Sequence, residues 1–187
     1  PWSVHLDNSS DTNTFPYGPI MFLAYLPITA IGSIIDSFAE VEYFANFGFR
    51  LSLLFADILL LLLLLKTFEG QWKKIIKYYW LSPLMFFITY WHGQTDLIPV
   101  VLFMSALMLL KSNQFRTLGV ILALAIAAKH SMIIGVPFIV LYLWSHNGIN
   151  KEFQRFLIYF SLSLLFIEGP FLLSDAFRIM VLENREV

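Results

Sequence analysis

Residues 59–65 are seven consecutive leucines, closing an apolar run that begins near residue 47. Such a stretch has no polar side to turn toward water, and it lacks the period-2 alternation of a membrane β-strand. Comparable runs lie at about 20–35, 78–91, 97–110, 118–128, 132–144 and 156–173. The chain is 58% hydrophobic and 13% charged, against about 25% charged in a soluble domain, and its mean hydropathy is +0.72. The expected fold class is therefore all-α: a polytopic transmembrane bundle of six to seven hydrophobic helices of uneven length.

Several runs fall short of the roughly 20 residues that cross a bilayer. Residues 97–110 and 118–128 reach only about 21 and 17 Å at 1.5 Å per residue. Their connecting loops are expected to sit inset, where irregular backbone survives only if packed in protein or lining an aqueous cavity. Polar flanks divide the chain into a non-cytoplasmic loop over residues 1–17, a bundle over 18–173 and a polar non-cytoplasmic tail or loop over 174–187. The opening on Pro1, inside a polar stretch, reads as a cut in a loop of a longer protein.

Basic residues orient the bundle. Lys66, Lys73, Lys74 and Lys77 form one cluster, Lys111 and Arg116 a second, Lys151 and Arg155 a third. Two runs separate each cluster from the next, so all three share the cytoplasmic face. The opposite, periplasmic or luminal face then holds residues 92–96 and Lys129-His130. If all three runs before His92 cross, residues 1–17 are cytoplasmic; placing them on the outer face, the favoured reading, requires run 20–35 to be re-entrant or flat, a broken helix that Pro19, Pro27 and Gly32 would allow.

Polar residues wedged among these runs are the candidate sites. In Trp91-His92-Gly93-Gln94-Thr95-Asp96, three polar side chains sit beside hydrocarbon, where desolvation costs several kcal/mol for each group left unpaired. His92 or Asp96 suits proton transfer, and Gln94 suits hydroxyl binding. The alternative is a wet interfacial loop with Tyr90 and Trp91 as belt aromatics and Asp96 as the cap of helix 97–110. Lys129-His130 interrupts two apolar runs. Either it supplies a fixed positive charge to a lipid-linked phosphate, or Lys129 snorkels from a short hairpin. Asp57, in mid-run, is a functional candidate by location, with a hydrogen bond to a neighbouring helix as its structural alternative. Glu168-Gly169-Pro170 reads as the end of the last run, where Glu168 either reaches the cavity or caps locally, the structural role being the favoured one.

Some classes are excluded. A net charge of −1 gives no case for nucleic acid. The absence of cysteine removes disulfides, thiolate metal sites and cysteine nucleophiles. The four histidines, including His5 and His146 in polar stretches, lack metal-ligand spacing.

Four stretches resemble the GT-C superfamily of polytopic glycosyltransferases that use polyprenyl-phosphate sugars, nearest to glycosylphosphatidylinositol mannosyltransferase catalytic subunits and bacterial mannosyltransferase-like relatives. Phe15-Pro16-Tyr17-Gly18-Pro19 resembles the aromatic-Pro segment closing the first luminal loop, and Asp57 stands where the family often has a polar residue in a leucine-rich helix. Leu81-Ser82-Pro83-Leu84 followed by His92-Gly93-Gln94-Thr95-Asp96 is similar to the family's N-P and G-N/Q-x-D/E stretch. Ala128-Lys129-His130 through Pro137 is similar to its Lys-to-Pro stretch. The likeness covers roughly residues 15–145 and rests on order and spacing.

The resemblance implies transfer of a sugar, such as mannose, from a polyprenyl-phosphate donor to an acceptor on the non-cytoplasmic side, with inversion by one carboxylate base. It implies Tyr17, His92, Gln94, Asp96, Lys129 and His130 as contacts to sugar or lipid phosphate. The bilayer and membrane partner subunits are the further partners. No cofactor is required, although the superfamily accommodates a divalent metal. The family's acid lies after its first membrane helix, which this chain does not contain, so the base is expected upstream of Pro1. Asp7 and Asp11 are the weaker candidates, in the right loop but not as an Asp-x-Asp pair. A transporter or channel and a non-catalytic assembly subunit are the rival classes, since short broken helices with buried polar groups serve them as well.

Overall fold

The computed structural model describes residues 17–182, so Asp7 and Asp11 lie outside the described residues. Among the described residues the fold is helical throughout, with no strand. The helices are α1 (Pro19–Ala39), α2 (Phe44–Thr67), α3 (72–80), α4 (83–91), α5 (Leu97–Lys111), α6 (Phe115–Ala128), α7 (Val136–Asn147), α8 (Lys151–Leu172) and α9 (175–182). Three of them, α1, α2 and α8, are long and apolar enough to cross a bilayer. Much of their apolar surface has no protein against it: Phe38 is 87% exposed and Phe166 84% exposed. Side chains of that kind left uncovered along a long helix fit a hydrocarbon surround.

The chain divides into two compact units, Phe22–Ser105 and the remainder. In the first, α1 and α2 form an antiparallel hairpin. Residue 32 of α1 faces residue 44 of α2, and residue 28 faces residue 48. Both contacts are backbone to backbone: a Cβ on Gly32 would lie 2.2 Å from the Phe44 carbonyl oxygen, and one on Gly48 2.5 Å from that of Ile28. The expected interruption at Pro27 and Gly32 does not occur, and α1 is continuous over 21 residues. Gly32 serves close packing, and a single proline removes one hydrogen bond without ending a helix that its neighbour supports.

Asp36 fixes the start of α2. One carboxylate oxygen accepts the Phe44 N–H at 2.8 Å and the Tyr43 N–H at 3.2 Å, and the other accepts the Ala45 N–H at 2.8 Å. These are donors that a helix start leaves without intrahelical partners, at the positive end of the dipole. Asp36→Ala is expected to destabilise the solubilised chain by about 1–3 kcal/mol, with Asp36→Asn recovering part of the loss, as read by denaturant unfolding in micelles.

Run 78–91 is not one helix. It breaks at Leu81-Ser82, where Ser82 caps α4 by accepting the Met85 N–H and Pro83 takes the first helical position. Both flanking helices widen to π geometry, over Ile76–Trp80 and Phe87–Trp91. The closing hydrogen bonds run five residues back, from Leu81 N–H to the Ile76 carbonyl at 2.8 Å and from His92 N–H to the Phe87 carbonyl at 2.9 Å.

In the second unit α6 and α8 lie side by side and parallel: Gly119 meets Phe156 and Phe160, and further along His130 meets Glu168. Helix α6 is buried along most of its length, and Ala123, Ala125, Ala127 and Ala128 are fully buried. Small side chains let the two backbones approach. Lys111, Arg116, Lys151 and Arg155 cluster at the starts of this pair, and His130 and Glu168 lie toward its far end. Helix α8 does not stop at Gly169-Pro170 as expected but runs through Pro170 to Leu172. Residues 174–182 are not simply a polar tail: Ser174 caps α9, and Phe177 is fully buried.

Candidate functional site

The short length of α6 places the first polar centre. Its 14 residues span about 21 Å, against about 33 Å for the 22 of α8. Helix α6 therefore ends beside the flank of α8 and not at its tip. At Ala128 the backbone leaves the helix, Lys129 is extended (φ −147°, ψ 118°), and His130–Gly135 form a 3-10 turn. The Ala128 carbonyl, left over at the helix end, accepts the Gly18 N–H at 3.1 Å. That hydrogen bond brings Tyr17 under Lys129, whose ammonium stands 5.8 Å from the ring centroid.

The neighbouring His130 points at α8. Its Nε2 stands 2.9 Å from the Glu168 carboxylate oxygen Oε1. The approach lies off the direction of a ring N–H, so the contact is close but not an aligned hydrogen bond. Among the described residues, both ring nitrogens of His130 and this oxygen of Glu168 are buried without a hydrogen-bond partner. Phe177 closes the other side, its ring edge-on to the imidazole at 6.4 Å. A buried polar atom left without a partner costs about 1–3 kcal/mol, which a hydroxyl donating to Glu168 or a hydroxyl or phosphate oxygen accepting from a ring N–H of His130 would recover.

The knot of residues 92–96 belongs to the other unit. Its backbone is well held: Gln94 N–H donates to the Ile88 carbonyl at 3.1 Å, and the Asp96 carbonyl accepts Val100 N–H at 3.2 Å, which sets Asp96 at the start of α5. The Tyr25 hydroxyl on α1 donates to the Thr95 carbonyl at 3.2 Å, and Arg50 on α2 donates to the Tyr90 carbonyl. Gly93 takes φ +73°, the left-handed conformation that the turn requires. His92 is exposed, while Gln94 and Asp96 are half-buried. The turn lies near Phe49 and Arg50, in the second turn of α2, so it too sits inset from a helix end.

The third centre is Asp57, buried at mid-length of α2. One of its oxygens accepts from the Tyr79 hydroxyl and the other from the Tyr90 hydroxyl at 2.6 Å. Each tyrosine lies in one of the two π turns, a widening that recurs where helices are reshaped around a side chain. The structural alternative for Asp57, a hydrogen bond to a neighbouring helix, is what its geometry presents.

The fold thus gathers Tyr17, Lys129 and His130 in one unit and His92, Gln94 and Asp96 in one turn of the other. Glu168 was weighed from sequence as reaching the cavity or capping locally, whereas the two tyrosines of Asp57 were not singled out as its partners. The signal for Glu168 was a carboxylate at the end of an apolar run, and its pairing with His130 was not legible there. For Tyr79 and Tyr90 the signal was two phenols near an intramembrane acid, masked by the belt role that aromatics usually have. Among the described residues no group of three or more His, Asp or Glu is arranged to hold a metal.

No family model, curated protein or solved structure matches the chain.

Proposed function

We propose that the chain is part of a multi-pass, GT-C-like membrane glycosyltransferase, a bundle of six to seven hydrophobic segments that moves a hexose such as mannose from a polyprenyl-phosphate donor to an acceptor hydroxyl on the non-cytoplasmic side. The observation that carries this reading is the inset cluster of Tyr17, Lys129, His130 and Glu168 at the end of the short helix α6, in which both ring nitrogens of His130 and one oxygen of Glu168 are buried with no hydrogen-bond partner among the described residues. A lipid-linked phosphate needs such a place, with a cation below the headgroup plane and apolar surface beside it for the prenyl chain.

In the proposed reaction the acceptor oxygen attacks the anomeric carbon, and its proton passes to a carboxylate base. The bond from the anomeric carbon to the phosphate oxygen breaks, and its electron pair stays on the phosphate. Lys129 stabilises the charge that grows there, and the Tyr17 ring holds the ammonium in place. His130 offers a donor to a phosphate or sugar oxygen. A divalent metal is not required by the residues described.

The test is transfer from a panel of polyprenyl-phosphate hexoses by the full-length protein in proteoliposomes. Lys129→Gln is expected to lower turnover by roughly 10²–10³-fold, the scale of a lost charge-stabilising donor, with Lys129→Arg retaining more. Unchanged turnover in Lys129→Gln at limiting donor removes the phosphate role. A wild-type protein that moves the intact donor across the bilayer without cleaving it makes the chain a transporter instead.

A further inference from the structure

The segment that follows the longest apolar helix carries charge and apolar surface in separate halves, and the proposed transfer reaction makes no use of it. Lys66 ends α2, and Lys73, Lys74 and Lys77 follow on α3, all exposed, with Glu69 the one carboxylate between them. Among the described residues no carboxylate forms an ion pair with any of the four. Two of them are held against rings on their own helix: the Lys73 ammonium stands 5.5 Å from the Trp72 ring centroid, and the Lys77 ammonium 5.2 Å from that of Tyr78. Both rings are themselves exposed, Trp72 at 57% and Tyr78 at 69%.

Beyond the break at Leu81-Ser82 the character reverses. Leu81, Leu84 and Phe87 are 67%, 65% and 55% exposed, and residues 78–91 contain no charged side chain. Cations at one end, aromatic rings at the boundary and bare apolar side chains beyond repeat, in order, the layers of one leaflet. Position agrees with this, because the lysines begin where a 24-residue helix long enough to cross the bilayer ends. Trp and Tyr favour that depth, and lysine stems can lie along apolar surface while the ammonium stays wet.

We propose that residues 72–87 form a binding site for an anionic phospholipid, its headgroup phosphate held by Lys73, Lys74 and Lys77 and an acyl chain laid along Leu81, Leu84 and Phe87. The charge selects an anionic over a zwitterionic headgroup, since a zwitterion brings its own cation to the site. The apolar half selects a lipid over a free phosphate. The site is independent of the transferase reading and stands whether or not the chain transfers sugar.

The experiment supplies the purified full chain in mild detergent with equimolar phosphatidylglycerol and phosphatidylcholine and measures the two lipids retained after exchange. The wild type is expected to retain phosphatidylglycerol in excess, each lysine contributing up to about fivefold. The enrichment is expected to fall severalfold as sodium chloride rises from about 0.05 to 0.5 M. The triple variant Lys73→Gln, Lys74→Gln, Lys77→Gln is expected to lose most of it, and the corresponding arginine triple to keep it. Lys111→Gln with Arg116→Gln, a control at another basic cluster, is expected to keep it as well. Leu84→Ser is expected to reduce retention of the phosphatidylglycerol diacyl form more than that of its lyso form.

Equal retention of both lipids by the wild type overturns the proposal, as does enrichment that salt does not weaken or that the folded glutamine triple preserves. If the glutamine triple does not fold, the salt series and Leu84→Ser decide. Displacement of the lipid by millimolar inorganic phosphate, but not by chloride of equal ionic strength, makes the site one for free phosphate and overturns the lipid assignment.

Discussion

Asp57→Leu is expected to lower the unfolding free energy of the solubilised chain by about 2 kcal/mol, because it strips the acceptor from two tyrosine hydroxyls at once. Tyr79 and Tyr90 approach Asp57 from opposite sides of the Leu81-Ser82 break, and each donates to a different carboxylate oxygen. The carboxylate thereby holds α3 and α4 against the middle of α2. A leucine fills the volume but leaves both half-buried hydroxyls to find water or hydrocarbon. The informative comparison is the triple variant Asp57→Leu, Tyr79→Phe, Tyr90→Phe. Removing a whole buried polar cluster is often close to neutral, whereas removing one member is not. The triple is therefore expected to recover most of the loss, as measured by reversible unfolding with Tyr79→Phe and Tyr90→Phe closing the mutant cycle. A triple variant as unstable as Asp57→Leu means that the leucine disturbs packing and that the polar cluster is not the latch.

The same cluster shows where sequence reasoning stops. Helix existence was legible, because runs such as 47–65 and 156–173 admit no other structure. Even short α6 lies where run 118–128 was expected, extended three residues back to Phe115. Punctuation was less legible. Pro83 breaks a run because Ser82 precedes it as a cap, whereas Pro27 and Pro170 lie inside helices that continue. A proline removes one donor and crowds one carbonyl, and whether the helix survives depends on neighbours that a single run does not reveal. The candidate sites were legible as polar residues in apolar surroundings, but their partners were not. His130 and Glu168 are 38 positions apart, Asp57 and Tyr90 33, and each pairing depends on the register of two helices. Asp36, which looks like an ordinary polar residue near a helix end, holds three backbone donors of the following element.

In α6 and α8 that register is set by a residue with no side chain, and a large packing effect is expected there. A Cβ on Gly119 would lie 2.8 Å from the Phe156 carbonyl oxygen and 2.8 Å from the Phe160 nitrogen. Both are backbone atoms of a helix and have no rotamer to swing away, so even alanine requires α8 to withdraw. Gly119→Ile is expected to cost about 3 kcal/mol, the upper part of the range for overpacking, and Gly119→Ala about 1. Gly169→Ala on α8 is the matched control: its Cβ would meet only the Leu165 side chain at 3.6 Å, ordinary contact, and alanine's better helix propensity makes it neutral or stabilising. The displacement should reach the candidate site, because the α6–α8 spacing sets the approach of His130 to Glu168. The sequence contains no cysteine, so His130→Cys with Glu168→Cys gives a clean reporter. A short bifunctional thiol reagent is expected to bridge that pair in an otherwise unaltered chain and to bridge it severalfold less with Gly119→Ile present. Full bridging in a destabilised Gly119→Ile background means that the His130 turn holds its place against α8 by other contacts, through Phe177 and the Gly18 hydrogen bond to Ala128, and that the close helix contact supports stability without positioning the site.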